Sequence, residues 1–300
     1  MRFSCGFFLV VVLTWAALAA PANAQDTTRL DNFRARPAAP TELKRVAPDL
    51  YFLYDDISSN AAFLVTAEGV LVVDTRQHPA HGRDLIERIR KITDKPVKWV
   101  INTHAHGDHF YGNPAFKAMG ATIIAHRDTV AGMIKNEQLE FKRRQAFFRS
   151  MQLDPAEVKT VLPDVTFDSR MTIALGGRTV EIIYLGPGQN PGDTLVHFPH
   201  ARALYAGGPF ARKNWSNMSF TPSVDGWIAL LQKIAAMDVD LFLPGHGDVG
   251  TRQDVLDEAK LLGPRAGRSE SGDRQGHEPG GHRQESALPA VCRVAQLRPD

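Results

Sequence analysis

Apolar residues come first in short runs, "LYFLY", "NAAFLVTAE" and "GVLVVDT", each bounded by turn formers. Runs of this length and spacing predict the strands of an antiparallel sheet. The period then changes. In "PAHGRDLIERIRKIT" the apolar positions Leu85, Ile86, Ile89 and Ile92 fall at helical spacing. "PVKWVINT" predicts a buried strand, followed by a short helix around "NPAFKAMG", a strand "ATIIAH" and a helix from Asp128 to about Arg149. The second half repeats the scheme. "MTIAL" and "TVEIIYLG" flank Gly176-Gly177, whose conformational freedom suits a hairpin turn. "DTLVHFP" and "ALYAG" form a second hairpin, "SVDGWIALLQKIAAM" is a helix with Ser223 as N-cap, and "DLFLPGHGD" is a strand running into His246. Two similar halves of this kind predict an α/β protein, a four-layer αβ/βα sandwich of two mixed sheets with helices outside.

The ends read differently. Arg2 followed by "FFLVVVLTWAALAA" and "ANA" has the n-region, h-region and cleavage pattern of a secretory signal peptide over residues 1–24. An uncleaved anchor is the alternative, although the apolar run is short for a span. The expectation is a periplasmic or secreted protein with no stable membrane span after cleavage. Residues 25–40 read as a polar linker and 41–262 as the globular domain. From residue 263 to 300 the sequence is rich in Gly, Pro, Arg and Ser without period, which predicts a disordered or frameshifted tail. A tail of that origin that removed a packed final helix would leave the fold short of stability. His277 and His282, within it, read as solvated.

Composition narrows the chemistry. Of 2 cysteines, Cys5 lies in the signal and Cys292 in the tail, so neither an internal disulfide nor a cysteine-based zinc site is available to the mature chain. A formal net charge of +2 gives no electrostatic basis for nucleic-acid binding. A small-molecule substrate is the remaining expectation.

The stretch "NTHAHGDHFYGN" supplies that chemistry. His104 and His106 alternate about Ala105 and can point the same way from an extended segment. Asp108 and His109 follow a glycine that lets the chain turn. Imidazole and carboxylate are good zinc donors, and one short loop can offer them to two adjacent ions. A solvent-exposed, metal-free loop is the bland alternative.

"THAHGDH" resembles the H-x-H-x-D-H signature of the metallo-β-lactamase superfamily, and the resemblance runs from about Leu43 to Leu262. "VLVVDT" with Asp74, "GPGQNPGDT", "ALYAGG" and "LFLPGHGDVGT" with His246 support it. The resemblance implies that His104 and His106 belong to a first metal site, and Asp108, His109 and His246 to a second. Two positions depart from it. Gln189 stands where the family has a histidine completing the first site, and Gly208 where it often has an acidic or thiol ligand. An amide oxygen is a weaker zinc ligand, and glycine offers none. Counting donors then predicts one tightly bound Zn2+ at Asp108, His109 and His246, and a second held more weakly at His104, His106 and Gln189.

The implied function is that of an exported zinc hydrolase in which a metal-ionised water attacks a carbonyl, with Asp108 central and a β-lactam as the leading substrate. The lost acid at Gly208 sets the chain apart from the dinuclear phosphodiesterase, lactonase and glyoxalase branches. The incomplete first site sets it apart from the iron-dependent sulfur dioxygenases. The alternative is a degenerate member that binds ligand or metal without turnover. Asp74 reads equally as a carboxylate orienting a ligand histidine or as a strand-end residue. Lys213 and Asn217, with Arg212 and Asn214, follow the "YAGG" strand where they would grip an anionic substrate, or else form an ordinary solvated loop. Phe210 and Trp215 read as cleft walls or core. His78, His81, His126, His197 and His200 read as surface or packing residues.

Overall fold

The computed structural model describes residues 41–213 and 217–263. The expected signal peptide, the linker and the tail beyond Gly263 lie outside the described residues, as do Asn214 and Trp215.

Two sheets form the centre. The first has seven strands in chain order: β1 (Glu42–Arg45), β2 (Leu50–Tyr54), β3 (Ala61–Val65), β4 (Val70–Val73), β5 (Val97–Asn102), β6 (Thr122–His126) and β7 (Val165–Phe167). β1 to β4 pair antiparallel and β4 to β7 parallel. The second sheet has five strands: β8 (Arg170–Leu175), β9 (Arg178–Ile183), β10 (Leu195–Phe198), β11 (Ala203–Ala211) and β12 (Leu241–His246). Its strands are antiparallel except β11 and β12, which run together. The Gly176-Gly177 turn joining β8 to β9 has both residues at positive φ, 53° and 79°, which glycine adopts without strain.

Burial explains why the strands read as near-continuous apolar runs. Leu64, Leu71, Val73 and Ile101 of the first sheet meet Val180, Ile182, Val196 and Leu243 of the second in one core. The other face of the first sheet, with Phe63, Val72 and Val100, is covered by Leu85, Ile86 and Ile89 of helix α1 (Pro79–Arg90). Helix α5 (Val224–Ala236) packs Trp227, Leu230 and Ile234 on the outer face of the second sheet, with Val255 and Ala259 of α6 (Arg252–Leu262). Both faces of each sheet are therefore apolar. The result is the αβ/βα sandwich. Among the described residues no helix is long and apolar enough to cross a membrane.

One detail differs from the sequence reading, and burial decides two others that it left open. Helix α1 stops at Arg90, before Ile92, which is 38% exposed because it lies past the last turn packed on the sheet. Phe210 is core, packed in the cluster under α5. Of the surface and packing readings, His78 and His126 take the second: both are fully buried, and they also cap helices, their Nδ1 atoms accepting the amides of Ala80 and Asp128 at 3.1 and 3.2 Å.

Candidate metal centre

The site lies where β5 and β12 end. β5 delivers His104 and His106 in its trailing segment. A one-turn helix α2 (Gly107–Phe110) then carries Asp108 and His109, and the short helix α3 (Asn113–Lys117) follows. His246 is the last residue of β12, paired with Ala211 of β11. The four candidate ligands of the 104–109 run, His104, His106, Asp108 and His109, are all buried.

Two donor groups result. Asp108 Oδ2 lies 3.1 Å from His246 Nε2 and 3.7 Å from His109 Nε2, and the two Nε2 atoms are 3.3 Å apart. These three donors all fall within 4.8 Å of one another. Beside them, His104 Nε2 is 3.2 Å from His106 Nδ1. Gln189 comes from the loop between β9 and β10 and is buried against the same place. A Cβ added to Gly208 would collide with its Oε1 and lie 3.1 Å from His104 Nε2. The amide end of Gln189 thus fills the space that the missing side chain of residue 208 leaves.

Hydrogen bonds fix the ring tautomers. His109 Nδ1 donates to Asp74 Oδ2 at 2.7 Å. Thr103 donates its amide and hydroxyl to Asp74 at 2.9 and 2.8 Å, so His104 Nδ1 donates to Thr103 Oγ1 at 2.9 Å. His246 Nδ1 donates to the Ser58 carbonyl at 3.2 Å. Each of the three rings therefore presents an unprotonated Nε2 to the centre, which is the arrangement a divalent ion requires. The residues present fit a metal. The same cluster could also be grouped as Asp74, His104 and His109. Both Asp74 oxygens, however, already accept hydrogen bonds from His109 Nδ1, the Thr103 amide and hydroxyl and the Tyr205 hydroxyl, so Asp74 orients ligands and does not supply one.

Burial keeps His104 well below the usual imidazole range and pushes His106 down to about 3, so both are neutral donors. His109 goes the other way: burial opposes its charge, but the adjoining Asp74 and Asp108 carboxylates raise it. Burial alone would raise Asp108, yet Arg144 with His109 and His246 holds it well below the ordinary carboxylate range. Asp193, which closes the Gln189 loop by accepting the Asn190 amide at 2.8 Å, is pushed up to about 8 by burial.

Several contributors carry no signal in the sequence. Ser59 hydrogen-bonds the Asp108 carbonyl, and Asn60 Nδ2 donates to the carbonyls of Pro244 and Gly247, tying the β2–β3 loop to both ligand loops. Arg144, on helix α4 (Arg127–Ser150), donates to Asp108 Oδ1 at 2.5 Å. Phe220 packs on the His106 ring at 5.2 Å between centroids, and the Arg143 guanidinium lies over the Phe220 ring at 5.4 Å. A half-open cleft of about 410 Å3 adjoins, lined by Lys135, Asn136, Asn190, Phe220 and Thr221. Lys213 and Asn217 are exposed, Lys213 two residues beyond the Ala211–His246 pair, and Asn217 Oδ1 accepts the Ser219 amide. Arg212 is engaged with the Val249 carbonyl and Asp254.

A family model of the metallo-beta-lactamase superfamily matches residues 54–246, and the chain belongs to that superfamily. Membership indicates a metal-dependent hydrolase. The chain is 28% identical over 218 residues to a metallo-beta-lactamase type 2 of Bacillus cereus, covering 71% of this chain and 76% of that one. It is 23% identical over 222 residues to a linear primary-alkylsulfatase of Pseudomonas sp. (strain ATCC 19151), where it spans only 42% of the relative's length and 64% of its own. Among solved structures, the metallo-beta-lactamase FIM-1 of Pseudomonas aeruginosa, in a mono-zinc form, superposes with a TM-score of 0.60 at 18% identity, over 75% of this chain and 95% of that one.

Proposed function

We propose that this chain is an exported metal-dependent hydrolase whose working ion, zinc, is held by Asp108, His109 and His246. The observation that carries the proposal is the convergence of Asp108 Oδ2 and two Nε2 lone pairs from separate loops, at 3.1 to 3.7 Å. Two imidazoles and a carboxylate form a common catalytic zinc set with room for a water molecule. The ion supplies Lewis acidity and lowers the pKa of water towards neutrality. The chain's residues do the rest. Asp74 holds His109 and, through Thr103, His104 in the donor tautomer. His104, His106 and the Gln189 amide offer a weaker second position, because a neutral amide replaces the third imidazole. The cleft beside Phe220 accepts the substrate, and Lys213 and Asn217, exposed in the segment after β11, favour an anionic one. Export rests on the N-terminal sequence pattern.

The leading substrate is a β-lactam, supported by the relatives and by "GPGQNPGD". Hydrolysis of a chromogenic cephalosporin, abolished by a chelator and by Asp108→Ala, is the expected result. A panel that includes alkyl sulfate esters covers the second class its relatives carry. Turnover of esters alone would replace the lactam assignment. A second reading, binding without turnover, is favoured by Gln189 and Gly208. Metal uptake with no hydrolysis across the panel would establish it.

A further inference from the structure

Glu140 and Arg144 stand one turn apart on α4, so their side chains share a face, and that face points at residue 108. At that spacing a helical Glu and Arg ordinarily form a solvent-facing ion pair. In the fold Glu140 is 1% exposed and the Arg144 side chain 17%. Arg144 Nη2 donates to Asp108 Oδ1 at 2.5 Å and to Glu140 Oε2 at 3.1 Å, while its Nε reaches the same Oε2 at 3.3 Å. Glu140 Oε2 also accepts the Gly107 amide at 2.7 Å.

We propose that Arg144, braced by Glu140, is a positioning residue that commits Asp108 to one-oxygen coordination of the ion at the Asp108, His109 and His246 site. The role rests on the metal reading of that site and goes beyond it. The two carboxylate oxygens of Asp108 divide the work. Oδ1 is taken by the guanidinium, whereas Oδ2 is turned to His246 Nε2 at 3.1 Å and His109 Nε2 at 3.7 Å. A free carboxylate rotates about χ2 and can offer either oxygen or both. Holding Oδ1 removes that freedom and aims Oδ2 at the centre. Glu140 adds a second constraint, since its bond to the Gly107 amide pins the backbone entering α2 just before Asp108. Its charge also offsets the guanidinium, so the cation beside the ligand does not act as an uncompensated repulsive charge on the ion. A purely structural ion pair would have no need to engage one oxygen of a ligand and leave the other facing two imidazoles.

The test uses the full chain stripped of metal by chelation, titrated with Co2+ alone in competition with a chelating chromophore, and followed by the visible absorption of the bound ion. Arg144→Met weakens binding by about 10–100-fold, the usual effect of losing a partner of a ligand, and shifts the cobalt band because Asp108 is free to chelate. Arg144→Lys recovers part of the affinity, keeping the charge but only one hydrogen bond. Glu140→Gln, which leaves Arg144 in place, gives a smaller loss in the same direction. Melting of each metal-free protein separates these effects from unfolding. Wild-type-like affinity and spectrum in folded Arg144→Met or Glu140→Gln would overturn the role. A wild type that takes up no Co2+ would overturn the metal reading itself, and this role with it.

Discussion

The Asp74 carboxylate lies 2.7 Å from Nδ1 of His109 and reaches His104 through the Thr103 hydroxyl, so one buried acid sets the tautomer of a histidine in each proposed metal site. Asp74 also sits at φ 59°, a left-handed conformation that asparagine tolerates. Asp74→Asn therefore keeps the backbone and removes the charge. It should lower metal affinity by about 10–100-fold in chelator competition while the fold survives. Unchanged affinity would reduce Asp74 to a strand-end residue.

Gln189→His restores a third imidazole beside His104 and His106. Zinc retained after dialysis should rise from about one equivalent to nearly two. A ratio that stays at one would show that the Gly208 position, not Gln189, limits the first site.

Gln189 and Gly208 are coupled by space. A methyl at 208 meets the Gln189 amide oxygen with His104 close behind. Gly208→Ala should cost about 1 kcal/mol in urea unfolding, at the low end for overpacking because a side-chain end can yield. In a Gln189→Ala background most of that cost should vanish. Additive effects in the double-mutant cycle would contradict the coupling.

His81 gives a pH signature away from the metal. Burial, and then the Arg76 guanidinium, push its imidazole down to about 4, and its Nδ1 has no hydrogen-bond partner among the described residues. The unfolded chain takes up this proton near pH 6.5 and the folded chain only near 4, so stability is full above the first value and falls as pH drops to the second. The loss attributable to His81 approaches about 3 kcal/mol by pH 4. His81→Gln should flatten the unfolding free energy between pH 6.5 and 4 relative to wild type. Parallel profiles would rule the residue out as a source of acid sensitivity.

Much of this was legible in the chain. Apolar runs of strand length and the 3.6-residue period of α1 and α5 lead to the two sheets and their cover, because burial on both faces leaves a strong pattern. The histidine run and His246 are legible because metal ligands must be of few residue types. Arg144, Glu140, Ser58, Ser59 and Asn60 are not. They act through a carboxylate, a backbone amide or a carbonyl, and such partners impose no spacing on the sequence. Glu140 and Arg144 in particular look like any charged helix face until the fold turns that face inward. The caps His78 and His126 were missed because histidine is not a usual N-cap, and only the buried strand-to-helix turns reveal its use.

The most direct measurement is the zinc content of the purified full chain after exhaustive dialysis, compared with Asp108→Ala and His246→Ala. About one equivalent in the wild type, falling to near zero in both variants with the fold intact, is the expected result. A wild type that retains no zinc, or variants that retain as much as the wild type, would contradict a centre built from Asp108, His109 and His246.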